Sequence, residues 1–519
     1  MLASPSWKKT GSYPMPERPP RSPDARSATP TGSPRGPLRA RRAGDRGRLS
    51  GVLLAMRCAA LAVTSWVLAA PDAAAAWPEI GANDFRITFE GGTGQSLPSA
   101  RLVAAAFHPE RQEYFVVYIA AEFENDLEAR RLQADGTAVS GSFFLANASD
   151  ILNVALAYSP VHDHYLVIWW QADDGFQVLG RLVSPEGAIL SSTLPIVPVC
   201  SDLPSCTPSV VYNPTADEFL VVWGRDESSG EKRIMGQRLD GESGAPVFTP
   251  FEISGGPDAD IDPDVAYDPQ ANQYLVVWTS IRADDVDLRA QRLDGTAAGQ
   301  IGEDDFVISD MSGRLGEENY GAYYPKIAYN PLDEEFLVVW WGLDGAAPLA
   351  PNGELEIFGQ RISADGSEVG PNDFRISDAG GLGTTQHNPL APQVAFLESE
   401  GLYLVSWHGT DSVDGMAATE LEVFGQFLTR SGTEVGPNDL RLSDVGGFGD
   451  PSYAAGATRV VAADAPREFL VLWTANEDLP GMAPTENEVY GQRLDGGSII
   501  LFYDGFESAD TSAWSSSLP

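Results

Sequence analysis

Carboxylates are the side chains with which this chain could do chemistry. Asp258, Asp260, Asp262 and Asp264 stand on alternate residues of Asp-Ala-Asp-Ile-Asp-Pro-Asp, and hard oxygen ligands are what a calcium ion takes. The stretch lacks the glycine and the terminal glutamate of an EF-hand loop, so an ordinary acidic loop is the plainer reading. The expectation is no cofactor, with Ca²⁺ the one ion the composition invites. A second set of acids falls in long loops: Asp344, Glu354, Asp411, Asp414, Glu420, Asp478 and Glu486, with Tyr320, Tyr323, Trp341, His408 and Tyr453 nearby. Acids beside aromatic rings suit a sugar or a cation. The ligand-binding candidates are therefore Trp341, Asp344, Glu354, His387, His408, Asp411, Asp414 and Asp478, with His387 and His408 able to approach one another. No residue is singled out as catalytic, because among so many carboxylates a pair at glycosidase separation would arise by chance. His162-Asp-His164 has metal-like spacing but lies in a short turn, where a surface role is the simpler one. No HExxH, GxSxG, phosphate-loop or dinucleotide motif is present.

The elements that would position these side chains are best seen from Tyr323 to Ser377. Pro325 to Tyr329 is a short apolar piece that stops at Asn330-Pro331, where proline presets φ for a type I turn and asparagine caps it. Glu335 to Trp341 is a continuous apolar run, too short for a helix and lacking polar alternation, and reads as a strand covered on both faces. Glu356 to Ser363 and Asp373 to Ser377 complete a four-stranded antiparallel meander.

Imperfect copies of this unit fill residues 77–500. The aromatic ending each second strand recurs at Tyr118, Trp169, Trp223, Trp278, Trp340, Trp407 and Trp473, within YFVVY, YLVIW, FLVVW, YLVVW, FLVVW, YLVSW and FLVLW. Seven four-stranded units that cannot bury both faces alone imply an all-β chain, a seven-bladed β-propeller. The seventh unit lacks a fourth strand of the usual type, and Glu79–Thr88 nearly repeats Glu368–Ser377. The last blade is therefore expected to be closed by the N-terminal strand, which removes the open edge. Loops joining second to third strands, and crossovers to the next blade, open on one face and swell in units five to seven; that face is the expected working face.

The ends are different material. Residues 1–55 are basic and of low complexity, an extended signal n-region or an untranslated stretch with Met56 as the true start. Residues 56–76 carry an apolar run and Ala74-Ala75-Ala76 before Trp77, the layout of a secretory signal. Residues 1–76 hold 12 of the 34 basic and 4 of the 73 acidic residues, leaving 22 against 69 and a net charge of −47. Such a body repels nucleic acid and anionic membrane. Secretion is expected, to the medium, the cell surface or the periplasm, with no transmembrane segment. Only Cys200 and Cys206 remain after the signal, a pair suited to a local disulfide. A monomer is expected.

The YNP, EFLVVW and GQRLD pattern resembles β-propeller repeats of secreted bacterial proteins over residues 79–500. It departs from WD40, kelch and FG-GAP repeats, so no function follows from those. Residues 501–519, with Tyr503-Asp-Gly-Phe-Glu-Ser and Trp514, resemble a tail recurrent at the C-termini of exported bacterial proteins, which implies an export or attachment tag. The function expected on this footing is a binding or scaffold propeller without a catalytic site, with a glycan or protein ligand on the face of units five to seven. The alternative is a polysaccharide-active propeller, a glycoside hydrolase or lyase using the acids of that face.

Overall fold

The second strand of each repeat is its most apolar segment, and burial on both faces makes it the centre of its sheet. The computed structural model describes residues 78–89, 100–121, 125–147, 151–172, 176–197, 206–226, 231–282, 285–309, 311, 321–344, 354–380, 387–411, 416–417, 419–446, 449–476 and 486–497. All of them belong to one compact unit, Pro71–Pro519. The chain is all-β, in a β-propeller arrangement. Five separate four-stranded sheets are formed, from residues 100–147, 151–197, 321–375, 390–441, and 454–495 joined by 79–86. A sixth, eight-stranded sheet runs from 209 to 307; it is two meanders linked by one parallel pair, Lys232 with Ala259.

Each meander starts with a strand at the same structural place: Ala100–His108, Ile151–Ser159, Ser209–Asn213, Ala259–Asp268, Gly321–Asn330, Leu390–Leu397 and Ala454–Ala463. Each of these touches the next, and the last touches the first. The turn after each ends in a left-handed residue, Gln112, Asp163, Asp217, Asn272, Glu334, Gly401 or Arg467, which reverses the chain tightly into the buried second strand. There Trp169, Trp223, Trp278, Trp340, Trp407 and Trp473 are fully buried, with Tyr118 in the first unit. These tryptophans are core.

The N-terminal strand Glu79–Arg86 pairs antiparallel with Asn487–Asp495, so the last sheet is completed from the other end of the chain. Neighbouring meanders are also tied by arginines on the third strands. Arg238, Arg292, Arg361 and Arg493 each donate to a turn carbonyl of the following meander, at Thr296 (2.6 Å), Asp365 (2.8 Å), Ser431 (3.0 Å) and Asp135 (3.3 Å), the first of these within the eight-stranded sheet and the other three between sheets. The tie from Arg493 to Asp135 joins the last sheet to the first.

The first three strands of the fifth unit run further than expected, as Gly321–Asn330, Glu335–Asp344 and Glu354–Ser363, and the fourth is displaced. The fourth strand of the fifth unit is Glu368–Arg375, not Asp373 to Ser377. Gly370 (φ 82°) and Asp373 (φ 44°) are left-handed, and the resulting bulge shifts the register between Gly359 and Arg361. The chain thereby pairs on both sides of the bulge instead of only after it.

Candidate functional site

At the long-loop end of units five to seven the third strand begins Glu-x-Glu and the fourth ends Arg-x-Ser or Arg-x-Thr. Folding brings these together. Arg375 donates to Glu356 at 2.6 Å and to Asp378 at 2.7 Å, and the Ser377 hydroxyl donates to Glu356. Arg441 reaches Glu422 (2.6 Å), Glu420 (3.0 Å) and Asp444 (3.2 Å), with Ser443 donating to Glu422. Arg86 reaches Glu488 (2.6 Å) and Glu486 (3.3 Å), with Thr88 on Glu488. These five glutamates and Glu354, the first of its Glu-x-Glu, are all buried. In the third unit the charges are exchanged: Arg233 stands on the third strand and Glu252 on the fourth, 3.7 Å apart. A charge buried in this way is tolerated only when paired and hydrogen-bonded. Burial still pushes the Glu356 and Glu422 carboxyls up to about 7.

Between units five and six the clasp gains further acids. Three consecutive amides of the turn after the fourth strand donate to three different carboxylates: Asp378 to Asp439 (2.7 Å), Ala379 to Glu356 (3.2 Å) and Gly380 to Asp411 (2.7 Å). Gly380 has φ 73°, a left-handed conformation that glycine takes at no steric cost. Asp439 and Asp411 are both buried, and Asp439 Oδ1 has no hydrogen-bond partner. Desolvation, then the charges of Asp411, Glu356 and Asp378, push the Asp439 carboxyl up to about 8.

Aromatic rings stand at the same end of this seam. Trp341 stacks on Tyr323, with centroids 4.5 Å apart and planes 16° from parallel, and on Tyr324 at 6.3 Å and 21°. All three are half-buried. Trp341 packs against the cluster holding Ile357, Ile376 and Trp407, next in sequence to Glu356, close before Asp378 and shortly before Asp411. A flat aromatic surface beside acids that differ in burial can hold a sugar ring and exchange a proton with it.

The sequence-based candidates distribute as follows. Trp341, Glu354 and Asp411 share the seam, with Glu354 buried and 3.8 Å from Arg375. Asp344 lies on the second strand opposite Glu354. His408 pairs in register with Leu390, close after His387, and its ring lies beside Gly456 of the next unit. Burial holds the His408 imidazole down to about 4, and Nδ1 of both histidines is buried without a partner. Asp414, Asp478 and Tyr320 lie outside the described residues. The sequence pattern singles out neither Asp439 nor Asp378, since Asp439 sits on a strand and Asp378 just after the fourth strand of the unit before it, away from the loop acids beside aromatic residues.

The alternate aspartates do not converge. Asp258 pairs with Arg282 (2.8 Å), Asp262 accepts from Thr207 (3.0 Å), and Asp264 accepts from Ser209 (2.6 Å) and faces Lys326 (3.7 Å). Asp260 is buried, and desolvation raises its carboxyl. The bulge between Ile261 and Asp264 breaks the alternation that would have aligned them. Among the described residues no group of three His, Cys, Asp or Glu is arranged to hold a metal ion. His162 and His164 likewise part, one to the Asp217 carboxylate (2.9 Å) and one to the Gly241 carbonyl (2.8 Å). Cys206 is buried between the second and third units, and Cys200 lies outside the described residues.

No protein-family model and no curated protein matches the chain. Among solved structures it is similar to an ulvan lyase of polysaccharide lyase family PL25 bound to a GlcA(1-4)Rha3S chain, at 8% identity over 79% of this chain and 96% of the other, TM-score 0.49. It is also similar to the Hadza microbial sialidase Hz136 (10% identity, 74% and 77% coverage, TM-score 0.40). A third is a thermostable family-43 glycoside hydrolase (12%, 55% and 97%, TM-score 0.31). The expectation of a binding or scaffold propeller without a catalytic site is corrected here: the solved structures that the chain is similar to are a polysaccharide lyase, a sialidase and a glycoside hydrolase. The likeness is one of fold and gives no residue of this chain a role.

Proposed function

We propose that this chain is a carbohydrate-active propeller enzyme working on a polysaccharide laid across the long-loop end of units five and six. The observations that carry it are the Tyr323–Trp341–Tyr324 stack, with Trp341 packed against the cluster of Ile376 and Trp407, and the carboxylates gathered on the Asp378–Gly380 turn that follows Ile376. Glycoside hydrolysis uses two carboxyl groups, one of them protonated near neutral pH. Asp439, pushed up to about 8, is the candidate proton donor, and Asp411 is the candidate second carboxylate. Both are covered by the turn, so its displacement is the opening step this reading requires. A body at −47 disfavours polyanions, and β-elimination needs a uronate; hydrolysis of a neutral chain is therefore preferred over lysis. The ring is read as seven blades, the eight-stranded sheet counting as two; the cyclic contacts of the first strands support this. Export is read from the Ala74-Ala75-Ala76 signal, and among the described residues no helix is long and apolar enough to cross a membrane.

The test is release of reducing ends from soluble polysaccharides by residues 77–519, in EDTA and in Ca²⁺, with absorbance of unsaturated uronate followed in parallel. Turnover that is lost in Asp439→Asn and weakened in KM by Trp341→Ala, with unchanged melting at acidic pH, supports the reading. Unsaturated product would move it to a lyase; full activity in Asp439→Asn would sink the assignment.

A further inference from the structure

Five of the fourth strands share a left-handed position, and one of the five departs from glycine there. At the residue where Glu79–Arg86, Gln300–Val307, Glu368–Arg375 and Glu434–Arg441 have a left-handed glycine (Gly81 φ 89°, Gly302 φ 84°, Gly370 φ 82°, Gly436 φ 81°), the strand Pro246–Glu252 has Phe248 at φ 64°. A bulky side chain there is strained. Its ring is also 79% exposed, so the strain is not repaid by burial. Strain that glycine would have relieved, combined with an apolar ring held in water, marks a residue kept for contact with something else.

The ring borders a groove of about 590 Å³ between the third and fourth units, also lined by Val247, Thr249, Phe251, Glu252, Thr296 and Gln300. That volume is within the roughly 300–1,000 Å³ of small-ligand sites. One side of the ring is backed by the Arg238 guanidinium, 5.9 Å from its centroid. Arg238 is itself fixed by Glu218 and by the Thr296 carbonyl. The Gln300 side-chain amide donates to the Ile253 carbonyl at 2.6 Å, which orients its own oxygen. The Glu252 side chain is 52% exposed. The groove thus offers one aromatic face and a rim of hydroxyl, amide and carboxylate groups, its one cation, Arg238, paired with Glu218 and its one anion, Glu252, facing Arg233, so that the charge around it is balanced.

We infer that this groove is a second carbohydrate site, in which Phe248 stacks on the apolar face of a pyranose ring of a neutral glycan while the rim hydrogen-bonds its hydroxyls. A pyranose has one C–H-rich face and an equatorial belt of donors and acceptors, which is the complement of this lining; the balanced charge selects against sulfated or uronic chains. The site stands apart from Asp439 and Trp341 and does not depend on the reading of that seam.

Affinity electrophoresis and calorimetry of residues 77–519 against neutral and anionic polysaccharides test it, using Phe248→Gly, which installs the residue found at the equivalent positions, and Trp341→Ala as the control for the other site. The expected result is retention on a neutral glycan that survives Trp341→Ala and falls about tenfold in Phe248→Gly, whose melting temperature is equal to or above that of the parent. Equal retention by Phe248→Gly overturns the site, as does the absence of any retention in the Trp341→Ala protein. Preference for sulfated or uronic chains overturns the neutral class. Loss of turnover in Asp439→Asn leaves all of these results in place.

Discussion

The carboxylate of Asp439, on the fourth strand of the sixth unit, accepts a 2.7 Å hydrogen bond from the amide of Asp378 in the unit before it. The contact recurs where Asp84 accepts from Asp444 (2.8 Å) and Asp305 from Gly255 (2.7 Å). Each time the aspartate is left-handed (φ 46°, 46° and 45° for Asp84, Asp439 and Asp305), because the bulge of the fourth strand must turn the side chain toward the neighbouring unit. At Asp439 a staple between units and an acid of displaced titration are thus the same residue.

That residue sets the pH dependence of stability. The Asp439 carboxyl is raised by desolvation from 3.8 to about 8, so the native state retains a proton that the unfolded chain gives up. Its contribution is fully present below about pH 4 and is lost as pH rises toward 8. Glu356 and Glu422, raised to about 7, act in the same direction. Melting temperature should fall from pH 5 to pH 8. Asp439→Asn, neutral and of the same shape, should flatten that slope, its advantage growing by up to about 1.4 kcal/mol per pH unit. Parallel slopes for the two proteins would refute the titration of Asp439.

Trp340 tests the core. Its side chain is fully buried, Nε1 donates to the Met311 sulfur at 3.2 Å, and the ring stacks on Phe358. Trp340→Ala should cost about 3–5 kcal/mol in a denaturant melt. A cost below about 1 kcal/mol would mean that the sheets do not rest on their second strands.

The repeat spacing, the buried second strands and the closure by Glu79–Arg86 were legible because each rests on a periodic pattern of apolar residues and turn signals. The partners of the acids were not. Glu354 falls in a long loop by its sequence, yet it is buried at the start of a strand with Arg375 nearby. A signal existed: Glu-x-Glu at 354, 420 and 486 recurs in step with Arg-x-Ser at 375 and 441 and Arg-x-Thr at 86, and opposite charges repeating together point to pairing. Asp258 to Asp264, which their spacing would align, stand apart for another reason. Alternation aligns side chains only on an unbroken strand, and the left-handed Asp262 (φ 51°) breaks it. Phe248 had no periodic signal, since its meaning lies in the glycines that fill its place elsewhere.

The exchanged charges of the third and fifth units permit a direct experiment on the clasp. Glu356 and Arg233 both stand three residues before the glycine of the third strand, and Arg375 and Glu252 both follow the phenylalanine of the fourth. Their ladders match, Phe358 opposite Arg375 and Met235 opposite Glu252. The backbone therefore accepts either polarity. Glu356→Arg and Arg375→Glu should each cost about 3–5 kcal/mol, because each leaves like charges in a desolvated place. The double exchange should recover much of that loss while forgoing the hydrogen bond that Ser377 gives to Glu356. The Ser377 hydroxyl would still accept from the Ile357 amide (2.8 Å), as Ser254 does from Ile234 (2.9 Å). Urea melts of the four proteins give the coupling energy directly. A double exchange that costs the sum of the two singles would show that Arg375 and Glu356 stabilise the sheet independently, and that the pairing at 2.6 Å contributes nothing of its own.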